Sequence, residues 1–94
     1  MSKLSVSILP LVGEFLGTFL FVLSILVTGN PLMIGLTLAL IVYILSDISG
    51  GHVNPAVSLA YFLKGDLSAA KFITYTLVQF VGATFSLYTF NSFA

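Results

Sequence analysis

The residue types able to do chemistry gather in one stretch, Ser49-Gly50-Gly51-His52-Val53-Asn54-Pro55-Ala56-Val57, in a chain that is 59% hydrophobic and 6% charged. Asn54-Pro55 reads as a helix start. An Asn side chain satisfies an orphan N–H of the first turn, and Pro suits the first helical position, where no N–H is needed. Ser49 to Val53, with two glycines, then reads as non-helical backbone leading into that helix. Such backbone at membrane depth survives only where protein buries it or water reaches it. The run Gly50 to Val53 offers a ladder of carbonyls, and Asn54 offers a side-chain N–H2. Behind Asn54 lies the positive end of a helix dipole, roughly half an elementary charge. A site of this kind suits oxygen lone pairs and repels cations and protons, a recipe for passing neutral polar solutes. The same loop equally suits a plain cap on a buried helix in a packed bundle. Its chemistry leaves both open.

Three further polar residues stand inside apolar runs. Glu14 reads by itself as an interfacial acid one turn into a helix. The alternative is an acceptor for loop N–H groups or a group lining a pathway, since ionisable residues inside spans tend to carry a role. His52 reads as a loop histidine bonded to neighbouring backbone, with pore lining or gating by protonation as the alternative. Gln79, in mid-span, reads as an interhelical hydrogen bonder. Nothing here forms an enzymatic constellation: there is one His, no Cys, and three scattered acids. No cofactor or metal is expected, and the chain does not read as an enzyme.

The elements that must hold these residues follow from composition and period. Soluble domains are about 25% charged; three basic and three acidic residues in 94 cannot solvate a surface. The chain reads as an all-α integral membrane protein in a lipid bilayer, with room for about three spans of roughly 20 residues. A zero net charge and three basic residues give nucleic acid no footprint. Span one is placed at about 9–28, with Pro10 in its first turn and a Gly13/Gly17 pair that lets another helix approach. It is too long for a signal-peptide core, and Gly29-Asn30-Pro31 reads as a turn instead. Span two covers about 32–48, with Gly35, Ala39, Val42 and Ser46 as a narrow strip suited to close packing. Span three covers about 67–90, with Asp66 as its cap and a stripe of Tyr75, Gln79, Gly82 and Ser86. Tyr43, Tyr61 and Tyr88 read as interface anchors.

Between spans two and three lies the region 49–63. Its apolar helix after Asn54 is about ten residues long, so about 15 Å, half of a bilayer core of about 30 Å. It lacks the polar face of a surface helix. It therefore reads as a re-entrant half-helix with Asn54 at the midplane. Lys3, Lys64 and Lys71 fall on one side of this arrangement. The positive-inside rule puts the N-terminus and the re-entrant loop in the cytoplasm.

The run Ile48-Ser49-Gly50-Gly51-His52-Val53-Asn54-Pro55-Ala56-Val57-Ser58-Leu59 resembles the first Asn-Pro-Ala loop of the aquaporins and glycerol facilitators, the major intrinsic protein family. Glu14-Phe15-Leu16-Gly17-Thr18-Phe19 resembles the family's first helix. Gly35-Leu36-Thr37 with Tyr43 resembles the second, and Tyr75 with Gln79-Phe80-Val81-Gly82-Ala83 the third. The resemblance implies half of an aquaporin-like fold, the N-terminal half. It implies that the carbonyls of Gly50, Gly51, His52 and Val53 line half of a conduit and that Asn54 is the midplane donor. Pro55 and Ala56 would pack against the matching loop of a second half. Glu14 would be buried and would brace the loop together with Gln79, which reverses the preference its own position gave. Ile34, 20 residues before Asn54, stands where the family commonly has an aromatic residue of the outer constriction, which implies a wider or more apolar opening.

The resulting expectation is a passive channel, or channel half, for water or small neutral solutes such as glycerol. It would conduct when paired with a second half: another copy, another chain, or the remainder of a longer protein. A non-conducting truncated product or assembly partner is the alternative, and a three-helix half-transporter a further one.

Overall fold

The computed structural model describes residues 2–93, with side chains from Ile8 onward; the Lys3 side chain used for orientation lies outside the described residues. Four α-helices follow one another: α1 (Ser2–Thr28), α2 (Pro31–Leu45), α3 (Pro55–Lys64) and α4 (Ala69–Phe93). Pro10 sits inside α1 rather than in its first turn. Among the described residues one helix, Ile8–Thr28, is by itself long and apolar enough to cross a membrane.

Local chemistry sets the boundaries. Gly29, at φ +54°, turns the chain. Asn30 then caps α2, its Oδ1 accepting the Met33 N–H at 3.0 Å, with Pro31 in the first turn. α2 stops at Leu45, earlier than the span ending at Ile48, because the N–H groups of Ile48, Ser49 and Gly50 all converge on the Leu45 carbonyl. α3 ends in a Schellman pair: the Gly65 N–H reaches the Phe62 carbonyl at 3.0 Å and the Asp66 N–H reaches that of Tyr61 at 2.9 Å, with Gly65 at φ +94°. Asp66 thus closes α3. The cap of α4 is Ser68, whose Oγ accepts the Lys71 N–H at 3.2 Å.

α1 is central. α4 lies against one side of it, α2 against another, and α3 packs on α4. Gly17 opens α1 toward α2 and the loop: a Cβ there would stand 2.7 Å from Leu45 Cδ1 and Val53 Cγ1. Gly82 opens α4 toward α1, where a Cβ would stand 2.7 Å from the Phe15 carbonyl oxygen. The α4 stripe of Tyr75, Gln79, Gly82 and Ser86 is buried throughout, and Ser86 Oγ donates across to the Phe19 carbonyl. The strip on α2 behaves differently. Gly35, Ala39, Val42 and Ser46 are all exposed, and α2 meets α1 through Ile41 and Leu45 instead. Val42 is approached closely by Gly51 of the loop, while a Cβ on Gly35 would meet nothing within 4 Å.

Beside the small apolar cluster of Ile41, Leu45 and Val53, the interior is largely polar. The largest fully buried side chains are Gln79, Glu14, Ser58 and Ser86, while Leu, Ile and Phe side chains cover the outside.

Candidate functional site

The loop between α2 and α3 is shaped by three residues in left-handed backbone: Gly50 (φ +94°), Gly51 (φ +66°) and Val53 (φ +45°). Gly51 has no alternative. A Cβ on it would meet Val42 Cα at 3.1 Å and the Val42 carbonyl at 3.2 Å. Val53 is a β-branched residue in a region that costs an L-residue about 1–2 kcal/mol, so the surroundings must hold it there. They do so at both ends. Its side chain, 2% exposed, fills the Gly17 notch beside Ile41 and Leu45. Its N–H donates to Glu14 Oε1 at 2.7 Å.

Glu14 is 0% exposed and lies at the centre of the loop's hydrogen bonds, far from the setting of an interfacial acid. Oε1 accepts from the Val53 N–H and from Gln79 Nε2 at 2.9 Å; Oε2 accepts from the His52 N–H at 3.0 Å and from Ser49 Oγ at 2.6 Å. A carboxylate has about four acceptor sites, and these donors use them all. The remaining loop N–H groups also turn inward: Gly50 to the Leu45 carbonyl and Gly51 to Ser49 Oγ at 3.2 Å. The carbonyls of Gly50, Gly51, His52 and Val53 accept no hydrogen bond among the described residues. The loop therefore has a donor side, fully engaged, and an acceptor side left open.

His52 bonds a side chain rather than neighbouring backbone: Nδ1 lies 2.9 Å from Ser58 Oγ. Its ring stacks on Tyr61 at 4.7 Å and meets Tyr75 edge-on at 5.2 Å. Tyr61, read from the sequence as an interface anchor, is thus half of a clamp on the histidine. Tyr75 also donates through its hydroxyl to the Ser49 carbonyl at 2.7 Å. Asn54 caps α3 with Oδ1, which accepts the Ala56 N–H at 2.8 Å. That engagement leaves its N–H2 turned away from the helix. Asn54 and Ala56 are exposed and Pro55 is half-buried.

Glu14, His52, Val53 and Gln79 therefore belong to one network. Ile34 stands outside it, half-buried in the first turn of α2, at the opposite end of that helix from the loop's root at Leu45. Two members went unselected as site residues, Ser58 and Ser49. Ser58 is fully buried between His52 and Gln79. A serine four residues after a capping Asn gives no periodic signal of its own. The signal available was its place three residues after Pro55, on the face that α3 turns to α4.

These features define an all-helical protein whose centre is a carboxylate-anchored loop feeding a short helix. The sequence profile of the family described as Major intrinsic protein matches residues 2–93. The chain is 38% identical to the lens fiber major intrinsic protein of Gallus gallus over 78% of its own length and 32% of that protein's. It is 37% identical to the glycerol uptake facilitator protein-like 6 of Lactiplantibacillus plantarum, covering 86% of this chain and 42% of the relative. Against aquaporin NIP1-1 of Arabidopsis thaliana the identity is 31%, over 94% and 36% of the two chains. The chain belongs to the major intrinsic protein family, whose members are integral membrane proteins and not enzymes. It spans about a third to two fifths of the length of these relatives.

Proposed function

We propose that the chain is one half of a passive channel for water or small neutral solutes such as glycerol, conducting when a complementary half completes it. The observation that carries this reading is the one-sidedness of the loop. Every N–H from Gly50 to Val53 is engaged, while the four carbonyls accept no hydrogen bond among the described residues. In hydrocarbon an unpaired carbonyl costs several kcal/mol, so a row of four requires a column of donors. Water and hydroxylated solutes are such donors. The Asn54 N–H2, freed by the capping role of Oδ1, adds a donor for the solute's own oxygen. The name of the Lactiplantibacillus relative, a glycerol uptake facilitator, and that of the Arabidopsis aquaporin support the same solute class.

In this reading α1, α2 and α4 cross the bilayer. α3 at ten residues, about 15 Å, enters and stops at mid-depth. Glu14 and Gln79 brace the loop, Pro55 and Ala56 face the counterpart loop, and Ile34 borders an outer opening without an aromatic wall. The N-terminus and the loop face the cytoplasm, the side of the exposed Lys64 and Lys71. The counterpart is a second copy, another chain, or the rest of a longer protein.

Stopped-flow swelling of proteoliposomes tests this. The chain with its complementary half is expected to raise permeability to water or glycerol, with flux linear in the gradient. No increase at confirmed density and assembly would leave a non-conducting assembly partner. Saturable flux with counterflow would point to a half-transporter.

A further inference from the structure

Ser58 has no exposed surface, and its hydroxyl meets two partners: Gln79 Nε2 at 3.0 Å and His52 Nδ1 at 2.9 Å. The proton positions along this chain follow from its far end. The Glu14 oxygens already receive the Ser49 hydroxyl and two backbone N–H groups, so the carboxylate has only lone pairs to offer Gln79. The Gln79 atom 2.9 Å from Oε1 must then be the N–H2. An amide nitrogen carries two hydrogens. One goes to Glu14 and the other to Ser58 Oγ. Ser58 therefore accepts from Gln79 and has its own hydrogen left for His52 Nδ1, which must be bare to receive it. His52 is left neutral, with its proton on Nε2. The stranded end of the amide fits this polarity. Gln79 Oε1 is buried without a partner among the described residues, as expected when its nitrogen is committed to two acceptors.

We propose that Ser58 is a positioning residue for the loop: the one-way hydrogen-bond chain Glu14–Gln79–Ser58–His52 locks the histidine as its Nε2–H tautomer, in the clamp formed by Tyr61 and Tyr75. The locked N–H then lies at the start of the carbonyl run, since a Cβ on Gly50 would come within 3.2 Å of Nε2. An oxygen-bearing solute entering that run meets a fixed ring donor there. The tautomer follows from the hydrogen bonds alone, and its consequence for permeation rests on the channel reading.

The chain has a single histidine, so 15N-histidine labelling of the whole protein in lipid bilayers yields one imidazole for solid-state NMR. The expected spectrum has Nδ1 unprotonated and in dipolar contact with a hydroxyl proton, and Nε2 protonated. Ser58→Ala is expected to abolish that contact and shift the Nδ1 resonance; Ser58→Thr is expected to keep both. A proton on Nδ1 in the unsubstituted protein overturns the proposal without recourse to any variant, and so does a Ser58→Ala spectrum that matches it. In conducting proteoliposomes Ser58→Ala is expected to lower permeability several-fold and Ser58→Thr to restore it. Unchanged permeability with an altered tautomer overturns the positioning role. If the unsubstituted protein does not conduct when assembled with its complementary half, the channel reading fails and the spectrum still decides the tautomer.

Discussion

A carboxylate with no exposed surface is tolerable only when donors fill its lone pairs, and Glu14 has them from three parts of the chain: the loop backbone, Ser49 and Gln79. Removing it strands those donors together, at about 1–3 kcal/mol for each buried group left unsatisfied. Glu14→Ala is therefore expected to lose more than the deletion of any apolar neighbour, read as a lower midpoint in detergent-titrated unfolding followed by circular dichroism. Loss no larger than that of Leu45→Ala would mean that the loop stands without its carboxylate. Val53 sets two effects against each other. Its left-handed φ costs about 1–2 kcal/mol, while its side chain fills the Gly17 notch. Val53→Ala gives up the packing and keeps the strain; Val53→Gly gives up the packing and sheds the strain. Val53→Gly is expected to be the more stable of the two in the same unfolding assay, and the reverse order would mean that the φ is not strained. Neither effect was legible in the sequence. Val53 looked like one more apolar residue before the cap, and Glu14 taken alone looked interfacial. Its donors lie 35 to 65 residues away along the chain, beyond the reach of any local pattern.

Helix faces were legible where polar and apolar residues alternate, and illegible where everything is apolar. On α4 the stripe of Tyr75, Gln79, Gly82 and Ser86 could be picked out because polar and small residues recur at helical spacing, and that stripe is the buried face. On α2 the small residues Gly35, Ala39 and Ser46 also recur, yet they are exposed. With apolar residues all round, nothing in the period marks which side meets α1. The ends of elements were decided by single atoms. Ser68, not Asp66, caps α4: α4 begins at Ala69, directly after Ser68, whose hydroxyl accepts the Lys71 N–H, while Asp66 lies two residues earlier in the turn that closes α3. The contrast between the two helices is measurable. In Gly82→Ala the new methyl meets backbone, the Phe15 carbonyl oxygen at 2.7 Å and the Phe19 nitrogen at 3.2 Å, so α1 and α4 must separate. Overpacking of this kind typically costs about 1–3 kcal/mol. In Gly35→Ala the methyl meets nothing within 4 Å, and the helix gains about 0.5–1 kcal/mol in propensity. The unfolding midpoint is expected to fall in the first and hold or rise in the second. A fall in both would show that the α2 strip is packed in the assembled protein.

On the scale of the whole molecule, buried polar side chains outnumber buried apolar ones among the described residues and large apolar side chains cover much of the outside, the arrangement that a hydrocarbon solvent rewards. The loop is tied to Glu14 by its N–H groups, yet Asn54 and Ala56 stay exposed at its tip. In the channel reading proposed above a counterpart loop covers them at mid-depth, and the identity of that cover depends on how the chain inserts. A second copy can bring its own loop to meet the first only if it enters the membrane upside down. Lys64 and Lys71 oppose this, since both flank the turn between α3 and α4 while the turn at Gly29 to Leu32 carries no charge. The chain has no native cysteine, so single cysteines report insertion without background. Leu32 is 68% exposed at the first turn of α2, and Ala69, also exposed, opens α4 at the opposite end. Leu32→Cys is expected to react with a membrane-impermeant maleimide only from the outer face, and Ala69→Cys only from the cytoplasmic face. That result would exclude an antiparallel homodimer and require the complementary half to come from a different sequence. Reaction of each cysteine from both faces would instead mean dual insertion, and the two halves of the conduit would then be two copies of this chain.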